Sequence, residues 1–96
     1  MRRTHERRQG YEDWKIKQYL PALLLHIQRR VEGGRGAVVA VRVRNICGVD
    51  RRCSIAVHWL MTRLVEKGLA KRFKKGTYLI ERAAAEEVLS ALRQWI

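Results

Sequence analysis

The 96-residue chain predicts an α+β domain, on three observations. Apolar residues recur at helical spacing in three segments, residues 20–31, 51–64 and 83–96. Three short β-prone runs, 37–41, 70–73 and 77–80, lie between them, and the last two surround a glycine turn. A Gly-Val-Asp turn at 48–50 joins a short helical segment to a longer one. Ninety-six residues suit a single hydrophobic core, and no repeat, linker or low-complexity stretch divides the chain.

Taken in order, residues 1–10 hold four Arg and one Glu with no large apolar residue after Met1. They read as a flexible basic arm, which either lies along phosphates or is an ordinary solvated terminus. The remainder, 11–96, forms the domain. Asp13 is placed to cap a short helix over 14–20. Pro21, costly inside a helix but favoured at its first position, then opens the main helix, 21–32. Leu20, Leu23, Leu24, Ile27 and Val31 form its buried face, and Gly33-Gly34 ends it. Leu25 and His26 fall beside that stripe, and His26 reads as a packing histidine.

After the strand at 37–41, residues 41–47 place Val43, Ile46 and Cys47 on one side of a two-turn helix that Gly48 stops. Asp50 is a good N-cap for the helix 51–67. Its core face is Cys53, Val57, Leu60, Met61 and Leu64, with Ala56 at the margin. The opposite face carries Arg51, Ile55, His58 and Thr62, flanked by Ser54 and Trp59. Gly68-Leu69 closes the helix, and Gly76 supplies the positive φ of a hairpin between 70–73 and 77–80. The C-terminal helix, 83–96, aligns Ala85, Val88, Leu89, Leu92, Trp95 and Ile96.

Charge narrows the function. Twenty-one Lys and Arg against nine acids leave a net +12, which calls for a polyanionic partner. Nucleic acid fits, because each neutralised phosphate releases counterions whatever the sequence. A membrane surface would need a basic amphipathic helix, whereas here the bases lie on tails, turns and helix ends. The apolar runs are too short to span a bilayer and no signal region follows the N-terminus, so a cytoplasmic, nucleoid-associated protein is expected. Fifteen Arg to six Lys with a single Asn points to a thermophilic source. In that setting Cys47 and Cys53 can be bridged; otherwise they are two buried thiols.

The order helix, strand, helix, turn, helix, hairpin, helix resembles the winged helix-turn-helix family over residues 20–82. The likeness rests on Asn45-Ile46-Cys47-Gly48-Val49-Asp50-Arg51-Arg52 at the turn, Leu64-Val65-Glu66-Lys67-Gly68-Leu69 at the helix end, and the Lys74-Lys75-Gly76 tip. Two departures stand out: helix 51–67 is about one turn longer than the common pattern, and helix 41–47 lacks a Ser, Thr or Asp cap. The resemblance implies a three-helix core with a short β-hairpin wing, and an extra C-terminal helix beyond it. It also implies binding of double-stranded DNA by a transcriptional regulator or architectural protein, with helix 51–67 in the major groove. Arg51, Arg52, Ser54, Ile55, His58 and Thr62 would then face base edges, Arg42 and Arg44 backbone phosphates, and Lys74 and Lys75 the backbone or minor groove. Ile55, apolar on that face, either touches thymine methyls or marks a rotated helix. An RNA-binding, ribosome-associated protein is the alternative that charge alone leaves open.

Trp59 and Trp95 border core stripes and read as packing or dimer-seam residues. The apolar stripe of helix 83–96 is accordingly the expected homodimer element. The Cys-x5-Cys spacing matches no zinc knuckle, so no metal and no cofactor is expected. No phosphate loop, nucleophile elbow, paired carboxylates or Cys-x-x-Cys is present, so no enzymatic activity is expected either.

Overall fold

A computed structural model describes the backbone of residues 2–95 and the side chains of residues 15–95. The first helix, α1 (Arg2–Gly33), carries the longest core stripe. Ile16, Leu20, Leu23 and Ile27 are buried along it at spacings of four, three and four residues. That stripe stays in phase through Pro21, so the helix does not begin at the proline as expected but runs straight through it. Pro21 and Lys17, whose carbonyl loses its helical donor, are both exposed, and water can satisfy the orphaned oxygen. Burial of the flanking apolar residues, about 1.5–3 kcal/mol each, exceeds the ~3 kcal/mol that an internal proline costs. Residues 2–10, expected as an arm, are the first turns of the same helix.

The strand β1 (Val38–Arg42) alternates, with Val39 and Val41 buried and Val38 and Arg42 exposed. It leads without a break into α2 (Val43–Cys47), two residues shorter at its start than the sequence suggested. The reason is that Val41 is held in the sheet, opposite Tyr78. No side chain caps α2; instead its first amide, the Val43 N–H, donates to the Gly76 carbonyl at 3.0 Å. Asp50 caps α3 (Arg51–Glu66) as expected, its Oδ1 accepting from the Cys53 N–H at 3.2 Å. The core face of α3 is also as expected, with Cys53, Ala56, Val57, Leu60, Met61 and Leu64 buried. At its end Lys67 is the cap. The Gly68 and Leu69 amides return to the Val65 and Leu64 carbonyls, a closure that Gly68 permits at φ 77°.

The strands β2 (Lys71–Lys74) and β3 (Thr77–Glu81) form a hairpin around Gly76, whose φ of 79° suits the turn. β1 pairs with β3 on the other side, giving a three-stranded antiparallel sheet in the order β1-β3-β2. The central strand buries Tyr78 and Ile80, whereas every residue of the edge strand β2 is exposed. A short 3-10 turn (Arg82–Ala84) intervenes before α4 (Ala85–Arg93), so the last helix starts later than expected. Arg82 accounts for the delay. Its amide is bound to the Ala37 carbonyl at 2.8 Å, and its guanidinium donates to the Val31 and Gly36 carbonyls.

The stripe of α4 was expected to form a dimer seam. Within the chain, Val88, Leu89 and Leu92 are buried in the core, where α4 packs on α1, and Trp95 lies half-buried at its edge. An amphipathic stripe specifies burial but not against what, and here α1 supplies the cover. Ile96 lies outside the described residues. Among the described residues, four α-helices and the sheet thus make an α+β domain with one continuous core. Among the described residues, no helix is long and apolar enough to cross a membrane.

Candidate nucleic-acid interface

The α2-α3 turn sets the site. Gly48 ends α2, and Asp50 starts α3 by accepting the Cys53 amide, which leaves the amides and side chains of Arg51 and Arg52 at an exposed helix N-terminus. The turn is also closed covalently: Cys47 and Cys53 form a disulfide, with Cα atoms 5.4 Å apart. Of the two states open to these cysteines, the structure has the bridge. Cys53 is buried in the core and Cys47 half-buried beside it, so the bond ties the last residue of α2 to the first turn of α3.

With Val57, Leu60, Met61 and Leu64 turned into the core, α3 presents Arg51, Arg52, Ile55 and Trp59 outward, with Ser54, His58 and Thr62 half-buried at the flanks. The apolar Ile55 does not mark a rotated helix. It is 63% exposed, and the buried residues lie on the opposite side.

The hairpin packs along one flank of this face through residues 20 and 10 positions apart in sequence. The His58 Nδ1 and the Tyr78 hydroxyl are hydrogen-bonded at 2.8 Å, their rings edge-to-face at 5.7 Å. Arg72 donates to the Thr62 Oγ1 at 3.5 Å, with its guanidinium over the Tyr78 ring at 5.9 Å. Partial burial, and then the neighbouring Arg72 cation, hold the His58 pKa below its ordinary 6.5, which favours the neutral imidazole. His58 therefore has one ring nitrogen engaged within the protein. It joins helix to hairpin, a role its exposed helical position in sequence did not suggest.

Arg72 is the residue that sequence reasoning missed. Its signal was its place in strand pairing: opposite Tyr78, it projects on the sheet face that carries α3. A register shift between Arg72 and Lys74 puts Phe73 out of the ladder, where it is 61% exposed beneath the Lys74 ammonium at 5.7 Å.

The remaining expected cations converge at the hairpin tip. Arg42 and Lys74 both pair with Thr77, one from each side of β3. The Val43-Gly76 hydrogen bond then draws the start of α2, and with it Arg44, to the same end. Arg42, Arg44, Lys74 and Lys75 are all exposed. Asp50, the acid in the turn, is engaged as a cap, and the exposed Arg42, Arg44, Arg51, Arg52, Lys74 and Lys75 give these elements an excess of positive charge.

On the opposite flank of α3, Trp59 and Trp95 meet edge-to-face at 6.3 Å, under Arg63 at 5.2 Å and Lys67 at 5.8 Å respectively. They pack on each other within the chain. Comparison with protein-family models, with curated proteins and with solved structures finds no match to this chain.

Proposed function

We propose that this chain is a winged helix-turn-helix protein that binds double-stranded DNA, as a transcriptional regulator or an architectural component. One observation carries this reading. A side-chain-capped helix, α3, offers an exposed N-terminus with Arg51 and Arg52, and is flanked by a cationic hairpin in a chain of net charge +12. An α-helix fits the major groove of B-DNA, where arginine grips guanine O6 and N7 with two bonds. Arg51 and Arg52 lie at the end of the helix that enters first.

The hairpin then acts as the wing. Arg72, Lys74 and Lys75 neutralise phosphates or reach the minor groove, while Arg42 and Arg44 bind backbone on the side of α2 and fix the register. Hydrogen bonds from His58 and Arg72 hold wing and helix as one rigid body, which lowers the entropy cost of engaging both grooves together. Such a protein works in the compartment that holds DNA.

The test is competition between double-stranded DNA and structured RNA, at several salt concentrations. If these five cations each neutralise one phosphate, the logarithm of affinity falls with that of salt at a slope of about −4 to −5. Preference for RNA, or affinity that salt leaves unchanged, refutes the proposal.

A further inference from the structure

Among the described residues, four of the six exposed large apolar side chains lie on the elements proposed to meet DNA. Val49 lies in the turn, Ile55 and Trp59 on α3, and Phe73 in the hairpin, while Leu25 and Val38 lie elsewhere. Trp59 has Trp95 and Arg63 as partners, and Phe73 has Lys74. Ile55 occupies the middle of the face. It follows Arg51 by one helical turn, precedes Trp59 by another, and is 63% exposed on a helix whose other face is locked into the core.

Position and chemistry together name what it would meet. Ile55 sits in the first half of α3, the part that a helix entering N-terminus first brings to base edges. A β-branched side chain on a helix has essentially one χ1 rotamer, so its methyl groups are held in place and lose little freedom on contact. It can neither donate nor accept a hydrogen bond, so it is blind to the polar code of the groove. The apolar group presented there is the C5 methyl of thymine.

We infer that Ile55 is a specificity-determining residue that reads the C5 methyl of a pyrimidine, thymine in ordinary DNA. The inference rests on the DNA-binding reading above. Arg51, one turn away, supplies the polar contact to a neighbouring base pair. Ile55 supplies a contact that excludes water from the methyl.

The experiment uses the full chain and a duplex recovered by selection from random DNA. Affinity is measured for that duplex and for the same duplex with every thymine replaced by deoxyuridine, which removes the methyl and keeps the pairing. Wild type and Ile55→Ala are compared at one fixed salt concentration. Wild type should lose about four-fold per methyl contacted, the factor for ~0.8 kcal/mol per buried carbon. Ile55→Ala should lose a similar factor on the thymine duplex and no longer distinguish the two, with its thermal midpoint and salt slope unchanged.

Placing cytosine or 5-methylcytosine at the sensitive positions separates the two sources of the methyl. A gain on methylation supports a general methyl reader, and no gain supports a thymine reader. Equal binding of thymine and deoxyuridine duplexes by wild type overturns the inference while leaving DNA binding intact. So does an undiminished deoxyuridine penalty in Ile55→Ala. Failure to bind any duplex refutes the underlying reading instead.

Discussion

Reduction of the Cys47–Cys53 bond is a perturbation whose size follows from chain length alone. The cysteines are six positions apart, so the bond closes a loop of about seven residues in the unfolded chain. The loop-closure relation gives an entropy near 8 cal/mol/K for such a loop, or about 2.4 kcal/mol at 25 °C. A domain of this size shifts its Tm by roughly 4–8 °C per kcal/mol, so reduction should lower Tm by about 10–19 °C. Reduced wild type is the right comparison, because it retains both sulfur atoms and so opens no cavity beside the buried Cys53. Thermal unfolding followed by circular dichroism, with and without a phosphine reductant, measures the shift, and alkylation with mass analysis counts the thiols. The native protein should show no free thiols and the reduced protein two. Two free thiols before reduction, or a shift below about 2 °C after complete reduction, would refute the reasoning.

Three further outcomes are expected. Leu92→Ala, at a fully buried position of α4, should cost about 2–5 kcal/mol in denaturant unfolding, with a midpoint independent of protein concentration. A midpoint that rises with concentration would mean that α4 is instead part of a subunit interface. His58 and His26 both have pKa values below 6.5, each lowered first by burial and then by a nearby arginine, Arg72 and Arg30 respectively. The unfolded chain then binds more protons than the folded one as pH falls past 6.5, so stability should drop from pH 7 toward pH 5. His58→Gln should flatten that slope, and a profile identical to wild type would exclude His58 as a contributor. Finally, Arg51→Ala should weaken binding to a selected duplex by about 1–3 kcal/mol but barely affect random DNA, while Lys75→Ala should weaken both alike and reduce the salt slope by about one. Equal losses on both duplexes for both variants would indicate binding without sequence reading.

The core faces of α3 and α4 were legible in sequence because helical periodicity reports burial directly. Asp50 and Gly68 were legible because caps are local chemistry. The continuity of α1 was not. The proline rule is also local, and here it is outweighed by a stripe that keeps phase from Ile16 to Ile27. That β1 joins β3 was equally hidden, since a five-residue apolar run does not name its partner. The site divides in the same way. Arg51 and Ile55 were placed outward by periodicity and Arg52 by the family resemblance, whereas the roles of Arg72 and His58 depend on a strand register and on contacts to Tyr78 and Thr62. The stripe of α4 was read correctly as apolar, but its cover by α1 was not legible, because periodicity cannot separate a core face from a subunit seam.

The hydrogen bond from the Val43 amide to the Gly76 carbonyl governs how the protein can be engineered. Hairpin tips are ordinarily the safest places to insert a peptide or attach a dye. Here the tip is also the N-terminal cap of α2, and a longer loop would strip a helix of its only acceptor for that amide. Labels belong away from the face proposed to meet DNA, for example at Leu25 on α1, which is 47% exposed, with the hairpin kept at its native length.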